Sequence, residues 1–147
     1  QAVAGSESPV ARSLLGGLRK RQLYKRALYV GKDKVGGALL TDRPSIRRMR
    51  ALAREIAAAA GREDSEVIVD IPPFPVDMSM EVQVRNQSTT LDLSLVSPLM
   101  NTLNEARRSQ WRLGVYAPRE HVAEVERAAV GVLHVKKATR QDTLASG

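Results

Sequence analysis

One short stretch of the sequence, residues 19–26, has the side chains to bind phosphate. Five cations fall within these eight residues, and the apolar pair Leu23-Tyr24 lies among them. Because such side chains pack against the protein, we expect Leu23 and Tyr24 to fix the directions in which Arg21 and Lys25 point. Arginine offers phosphate a planar fork of donors, and lysine offers a point charge. The pattern favours either a defined phosphate site or a solvated basic face near the end of a helix.

A second group of cations lies on a predicted helix that opens at Asp42-Arg43-Pro44 and runs to about Ala60, before Gly61. Its apolar stripe is Ile46, Met49, Ala53, Ile56, Ala57 and Ala60. The face beside that stripe carries Arg43, Arg47, Arg50 and Arg54. Like charges at this spacing cost about 0.2–0.5 kcal/mol per pair. The face therefore either meets an acidic partner or is solvated and paired with the acidic segment 63–66.

Residues that could carry out catalysis are sparse in this sequence. The absence of cysteine excludes disulfides, thiolate metal sites and a thiol nucleophile. His121 and His134 are thirteen residues apart on one predicted helix, which is too far to share a metal, and we expect surface or cap roles for both. No Ser-His-Asp set and no Gly-x-x-x-x-Gly-Lys loop stands out. We therefore predict no catalytic residues and no metal site within this chain.

Composition and charge limit the class of protein. With 147 residues, 43% of them hydrophobic, the chain can bury one core with an appendage. The net charge of +7 is concentrated in residues 1–50, which hold 12 Lys and Arg against 3 Asp and Glu, so this end is the candidate for an anionic partner. No apolar run approaches the roughly 20 residues that span a bilayer, and the first eight residues lack the charged start and apolar stretch that are typical of a signal peptide. We expect no membrane partner, a cytoplasmic location and, because the chain does not begin with Met, a piece of a longer protein.

A short helix and a mobile loop are predicted on either side of the basic stretch. Ser8 followed by Pro9 is typical of a helix start. The apolar residues that follow at helical spacing are Val10, Leu14 and Leu18. We expect Gly16-Gly17 to interrupt this helix, and the glycine-rich segment 31–37 to be a mobile loop.

The rest of the chain alternates in the way that half-buried strands do. Strands are predicted for residues 66–71, 78–85, 90–95 and 111–115, with a hairpin link at 86–89. A helix starting at Ser97-Pro98 is expected to bury Leu99, Leu103 and Ala106. A last helix is expected to bury Val122, Val125, Ala129 and Val132. The pattern predicts an α+β fold with about four mostly antiparallel strands and two or three packed helices.

The order of these segments resembles a known family. Arg21-x-Leu23-Tyr24-Lys25, followed by the strand 27–30, is similar to the segment that leaves the helical core of HD-domain phosphohydrolases. The likeness is strongest to the SAM- and HD-domain-containing deoxynucleotide triphosphohydrolases and their bacterial relatives. The later strands and helices resemble the C-terminal region of that family in their order.

The resemblance implies an organisation for the chain. Residues 1–26 would be the end of an all-α HD domain that is otherwise missing, residues 27–137 an α+β C-terminal domain, and residues 138–147 a flexible tail. The family holds a divalent metal in its HD domain, yet no His-Asp dipeptide occurs here, so no cofactor is expected in this chain. The partners implied are the protein's own HD domain and further copies of the protein in a homo-oligomer.

The resemblance also implies a regulatory site. In members that nucleotides activate, an arginine and a lysine at the positions of Arg21 and Lys25 bind the phosphates of an effector nucleotide at a subunit interface. Arg85 is the nearest match to a third basic residue that joins from another subunit.

Two functions follow from this sequence. The first is the C-terminal regulatory and oligomerisation part of an HD-domain nucleotide phosphohydrolase, inactive alone. The alternative is a small basic module that binds nucleic acid or an acidic protein. The scarcity of aromatic side chains for base stacking favours the first, since only Tyr24, Tyr29 and Tyr116 could serve.

Overall fold

The computed structural model describes residues 8–19, 23–78, 81–83, 90–92 and 97–136, and these residues form the predicted α+β fold. Its elements are α1 (Pro9–Arg19), β1 (Lys25–Gly31), α2 (Ile46–Ala60), β2 (Ile68–Asp70), β3 (Glu81–Gln83), β4 (Thr90–Asp92), α3 (Pro98–Gln110), β5 (Arg112–Ala117) and α4 (Val122–Val132). Single turns of 3-10 helix lie at Lys32–Lys34, Gly37–Leu39, Asp64–Glu66 and Arg119–His121. The predicted link at 86–89 and the predicted tail lie outside the described residues.

The main sheet has three antiparallel strands in the order β1-β5-β2. β5 is the last strand in sequence, yet it lies between the other two and pairs with both. β3 and β4 pair with each other in a separate two-stranded ribbon, with Val82 opposite Leu91. The predicted hairpin is therefore confirmed for its described residues, but it is not part of the main sheet.

The core lies between the main sheet and two helices. α4 packs over β1 and β5, α2 packs over β2, and the two helices contact each other. The largest side chains with full burial are Ile56, Leu113, Val115 and Val125. Alternate residues of β2 are exposed, as expected for a sheet with one covered face. Of the four predicted core positions of α4, Val125 and Ala129 are fully buried, whereas Val122 and Val132 are half-buried against the core.

The start of α2 differs from the prediction. The helix begins at Ile46, and the Ser45 hydroxyl caps it by accepting a hydrogen bond from the Arg48 amide at 3.4 Å. A start at Asp42-Arg43 was wrong because a residue before proline is pushed out of the helical region. Ile46, at the first position, is 65% exposed rather than buried. The end of the helix is confirmed, since Gly61 takes the left-handed conformation with φ 67°.

Two glycine-based predictions were wrong. α1 continues through Gly16-Gly17, because each glycine weakens a helix by only about 1 kcal/mol. Segment 31–37 is folded rather than an open loop: Val35 is buried, and the carbonyl of Lys34 accepts a hydrogen bond from the Lys136 amide at 2.9 Å. Lys32 also forms an ion pair with Glu105 of α3 at 2.6 Å. Lys32, and then Arg108, lower the pKa of the Glu105 carboxyl.

The orientation of α3 is a further correction. Leu99 and Leu103, predicted to be buried, are 74% and 43% exposed. The buried residue is Asn104, whose side-chain amide accepts a hydrogen bond from the Met78 amide at 2.9 Å and donates to the Met78 carbonyl at 3.2 Å. Arg107 adds a hydrogen bond to the Val76 carbonyl. Polar side chains thus hold α3 to the backbone of Val76 and Met78, and in this orientation the apolar stripe faces outward.

Two leucine truncations test this arrangement. Leu113→Ala removes a fully buried side chain from the central strand, and it should lower the free energy of unfolding by about 2–5 kcal/mol in urea titrations. Leu99→Ala is the matched control, because an exposed leucine should cost less than about 0.5 kcal/mol. Equal losses of unfolding free energy at the two positions would show that the apolar face of α3 that carries Leu99 is buried within this chain.

Candidate functional site

Lys25 is the one predicted phosphate-binding residue that the structure describes. Arg21 and Arg85 lie outside the described residues, so the grouping of all three stays a prediction. Lys25 is the first residue of β1, opposite Ala117 of β5, and its side chain is exposed. None of the ion pairs between described residues involves it. Its ammonium group therefore has no carboxylate partner in this part of the protein.

Lys25 lines a cleft of ≈ 720 Å³ between α1 and one end of the main sheet. One wall is a face of α1, formed by Val10, Ser13, Leu14, Gly16 and Gly17. The opposite wall is built from the turn at 65–66 and from residues 118–120, which follow β5. Two of these wall residues, Arg119 and Glu120, are exposed and of opposite sign. The cleft is thus polar and mixed in charge, with Lys25 at the point where the chain passes from α1 into the sheet.

Tyr24 anchors the segment that carries Lys25. Its hydroxyl donates a hydrogen bond to the Ser65 carbonyl at 2.6 Å, which ties the start of β1 to the turn at Asp64–Glu66. Partial burial raises the pKa of Tyr24, and the nearby negative charge of Glu66 raises it further. The hydroxyl therefore remains a donor at neutral pH. Leu23 was predicted to be buried as well, but it is 54% exposed, so the tyrosine alone makes this anchor.

A charged cluster that the sequence did not predict lies on the Glu66 side of the cleft. Glu66 Oε2 accepts a hydrogen bond from the Glu63 amide at 3.0 Å, and Glu66 Oε1 lies 3.4 Å from His121 Nε2. The same His121 nitrogen is 3.5 Å from Arg62 Nη1. Arg62 Nη2 lies 4.0 Å from Glu124 Oε1. The cluster thus connects the end of α2, the 3-10 turn that follows it and the start of α4.

The two histidines have different surroundings. His134 is exposed and follows α4 with φ 49°, in agreement with a surface or cap role. His121 is at the N-cap position of α4, but its side chain makes no capping hydrogen bond and is only 19% exposed. A sequence signal existed for Glu66, because Glu63 and Glu66 have the spacing of a capping box. No local pattern in the sequence could predict the contact between Glu66 and His121, because His121 comes 55 residues after Glu66.

The arginine face of α2 is only partly paired. Arg54 forms an ion pair with Asp64 at 3.4 Å, which confirms the predicted pairing with the acidic segment 63–66. Arg47 and Arg50 are exposed, and no ion pair joins either one to another described residue. On β1, the Arg26 guanidinium lies 3.8 Å from the centre of the Tyr29 ring. That contact covers one of the few aromatic faces in the chain.

The residues that the structure describes contain neither a metal-binding group of side chains nor a helix suited to span a membrane. Within those residues, no group of three or more His, Asp or Glu side chains could hold a metal ion. The residues therefore do not fit the divalent metal of an HD domain. In the same ranges, no helix has the length and apolar character needed to cross a bilayer.

Residues 2–144 match the family model described as "HD associated region". That match defines the class of protein: an accessory region of a protein that contains an HD domain. Because the match covers nearly the whole sequence, the chain belongs to the family of HD-associated regions. Neither curated proteins nor solved structures gave a match to this chain. The resemblance to HD-domain proteins is therefore confirmed.

The anchoring role of Tyr24 gives a prediction. Tyr24→Phe removes the hydrogen bond to Ser65, and it should lower the free energy of unfolding by about 0.5–1.5 kcal/mol at pH 7. Because the folded-state pKa of Tyr24 is raised above 10.0, this contribution is fully present below pH 10 and is lost as the pH rises through the folded-state pKa.

Urea titrations between pH 7 and 11 measure this contribution as the difference between the wild-type protein and Tyr24→Phe. Tyr29→Phe is the matched control, since its hydroxyl makes no hydrogen bond to a described residue, and it should change the stability by less than about 0.5 kcal/mol. An undiminished wild-type advantage far above pH 10 would contradict the assignment.

Proposed function

We propose that this chain is the C-terminal regulatory and oligomerisation part of a cytoplasmic HD-domain (deoxy)nucleotide phosphohydrolase. Lys25 and Arg21 bind the phosphates of an effector nucleotide, and Arg85 joins them from another subunit. The observation that carries the proposal is that Lys25 is a fixed cation with no carboxylate partner among the described residues, at a cleft in a chain of the HD-associated family.

The geometry around Lys25 supports phosphate binding in two ways. Its backbone is held by pairing with Ala117, and the residue before it is tied to Ser65, so the ammonium group projects from a defined point. Because little backbone freedom remains to be lost, binding to this cation is favoured over binding to a basic tail. The cleft also has the size of known small-molecule sites, which run from about 300 to 1,000 Å³.

Exposed apolar side chains support the part of the proposal that concerns protein partners. On α1 the exposed residues are Val10, Leu14 and Leu18, and on α3 they are Leu99 and Leu103. Contiguous apolar stripes on a protein surface mark interaction sites. The protein's own HD domain and a second copy of the protein are the proposed partners for these surfaces.

A nucleic-acid-binding or protein-interaction module is the second candidate function. The exposed Arg47 and Arg50 favour it, because arginines on one helix face suit an anionic surface. Against it, Arg26 covers one face of the Tyr29 ring, and the Tyr24 hydroxyl is committed to Ser65. Proteins that bind single strands need free aromatic faces on which bases stack. The effector site is therefore the better supported of the two.

Substitution of Lys25 separates the two functions. In the full-length protein that contains the HD domain, Lys25→Ala should weaken nucleoside triphosphate binding about ten- to hundredfold, the equivalent of a charge-assisted contact of about 1.5–3 kcal/mol. Arg47→Ala is the matched control, since it removes an exposed cation that does not line the cleft. It should change the affinity less than about twofold.

Isothermal titration calorimetry at several salt concentrations measures both variants, with nucleoside triphosphates and with single-stranded nucleic acid. Equal small losses for the two variants, with nucleic acid bound more tightly than nucleotide, would favour the second function. A polyanion surface would behave in that way because each cation contributes a similar share.

A further prediction concerns activity. The purified chain, supplied with Mg²⁺ or Mn²⁺, should not hydrolyse deoxynucleoside triphosphates, because its described residues contain no metal-binding group and its sequence has no His-Asp dipeptide. The measurement is release of phosphate or triphosphate, with the HD-containing protein as the positive control. Metal-dependent release that follows the chain through purification would contradict the assignment of catalysis to another domain.

A further inference from the structure

One nitrogen atom of His121 has two partners that need opposite states of that nitrogen. Nε2 lies 3.4 Å from Glu66 Oε1 and 3.5 Å from Arg62 Nη1. A bond to Glu66 requires a proton on Nε2, whereas a bond from Arg62 requires a lone pair there. The two bonds are therefore mutually exclusive. An imidazole gains a proton within the range between about pH 5 and pH 8.

We infer that Glu66 and His121 set the affinity of the Lys25 cleft for polyphosphate. In the neutral state, His121 accepts from Arg62 and leaves the Glu66 carboxylate without a cationic partner at the cleft wall. In the protonated state, His121 donates to Glu66 and neutralises it. The identity of the anion rests on the proposed function; the exchange of partners at His121 does not.

Glu66 is well placed to transmit this change. It lines the cleft together with Tyr24 and Lys25, so its charge opposes any anion that binds there. Its second oxygen is held by the Glu63 amide at 3.0 Å, which keeps the carboxylate from turning away. Burial and, after it, the negative charge of Glu66 raise the pKa of Tyr24, so the Glu66 carboxylate lies close to the residue that precedes Lys25.

Arg62 has an alternative partner when His121 is protonated. Arg62 Nη2 is 4.0 Å from Glu124 Oε1, which is beyond hydrogen-bond distance. Arg62 Nε and Glu124 Oε2 are both buried, and within the described residues neither has a hydrogen-bond partner. Repulsion from an imidazolium would move the guanidinium toward Glu124, where these unsatisfied groups can pair. The cluster can therefore take up a proton at His121 without leaving Arg62 unpaired.

The charges that face His121 favour the exchange. The cluster around His121 contains one cation, Arg62, and two carboxylates, Glu66 and Glu124, so its net charge is −1 when the imidazole is neutral. Protonation of His121 brings the net charge of the four groups to zero. Arg119 and Glu120, in the same turn as His121, are exposed and of opposite sign. Glu63 and Asp64 lie in the same turn as Glu66, and Lys25 lines the cleft with it. Tyr24 keeps its proton at these pH values, and burial raises its pKa further.

The test compares affinities for inorganic tripolyphosphate at pH 5.5 and pH 8.0, measured by calorimetry on the full-length protein. At each pH the variant is compared with the wild type, so that protonation of the ligand cancels. The ratio of wild-type to His121→Gln affinity should be about two- to fivefold larger at pH 5.5 than at pH 8.0, since pairs of partly exposed charges contribute up to about 1 kcal/mol. Glu66→Gln should bind more tightly than the wild type at pH 8.0. His134→Gln, the matched control, should follow the wild type at both pH values.

A second measurement separates this inference from the proposed function. In the ¹⁵N-labelled protein, the Arg62 Nε–H resonance should move as His121 titrates, and this movement should vanish in His121→Gln. An Arg62 resonance that stays fixed, or equal affinity ratios at the two pH values, would overturn the inference. If tripolyphosphate binds at no pH but the Arg62 resonance still moves as His121 titrates, the proposed effector site is wrong and the exchange of partners at His121 is upheld.

Discussion

The position of β5 between β1 and β2 is the constraint on which the rest of the structure depends. A strand from near the end of the chain separates two earlier ones, so the sheet closes only after residues 112–117 have been brought back to residues 25–31. Leu113, Val115 and Ala117 are fully buried in consequence, and α2 and α4 pack around them. The same pairing sets Ala117 against Lys25 and brings the turn after β5 to the cleft. Core and cleft therefore form together.

Polar contacts, rather than apolar ones, decide how the outer elements attach. Asn104 satisfies both backbone groups of Met78, and Lys32 joins segment 31–37 to α3 through Glu105. These bonds hold α3 with Leu99 and Leu103 facing outward. The chain belongs to an HD-associated family, and we propose that other protein surfaces cover these exposed apolar side chains. Such binding would add to the stability of the isolated chain.

Glu66 connects the cleft at Lys25 with the charged cluster that contains Arg62, His121 and Glu124. One of its oxygens is fixed by the turn in which it lies, and the other is directed at His121. The preceding residue, Ser65, accepts the hydrogen bond of Tyr24, and so the turn at Asp64–Glu66 contacts the start of β1 and the start of α4 at once. A change of charge at His121 thus has a short covalent and hydrogen-bonded route to the residue before Lys25.

Local patterns in the sequence determined the class of fold and most of its elements. The glycine that ends α2, the apolar spacing of α4 and the alternation of β5 are properties of neighbouring residues, and each was predicted correctly. Patterns of the same kind placed Leu99 and Leu103 in the core, because periodicity identifies an apolar face without indicating what covers it. The path of segment 31–37 and the role of Asn104 depend on backbone groups far away in sequence. The cluster of Arg62, Glu66 and His121 depends on the same long-range packing. Contacts between residues that are far apart in the sequence are set by how the sheet closes, and so only the tertiary structure decides them.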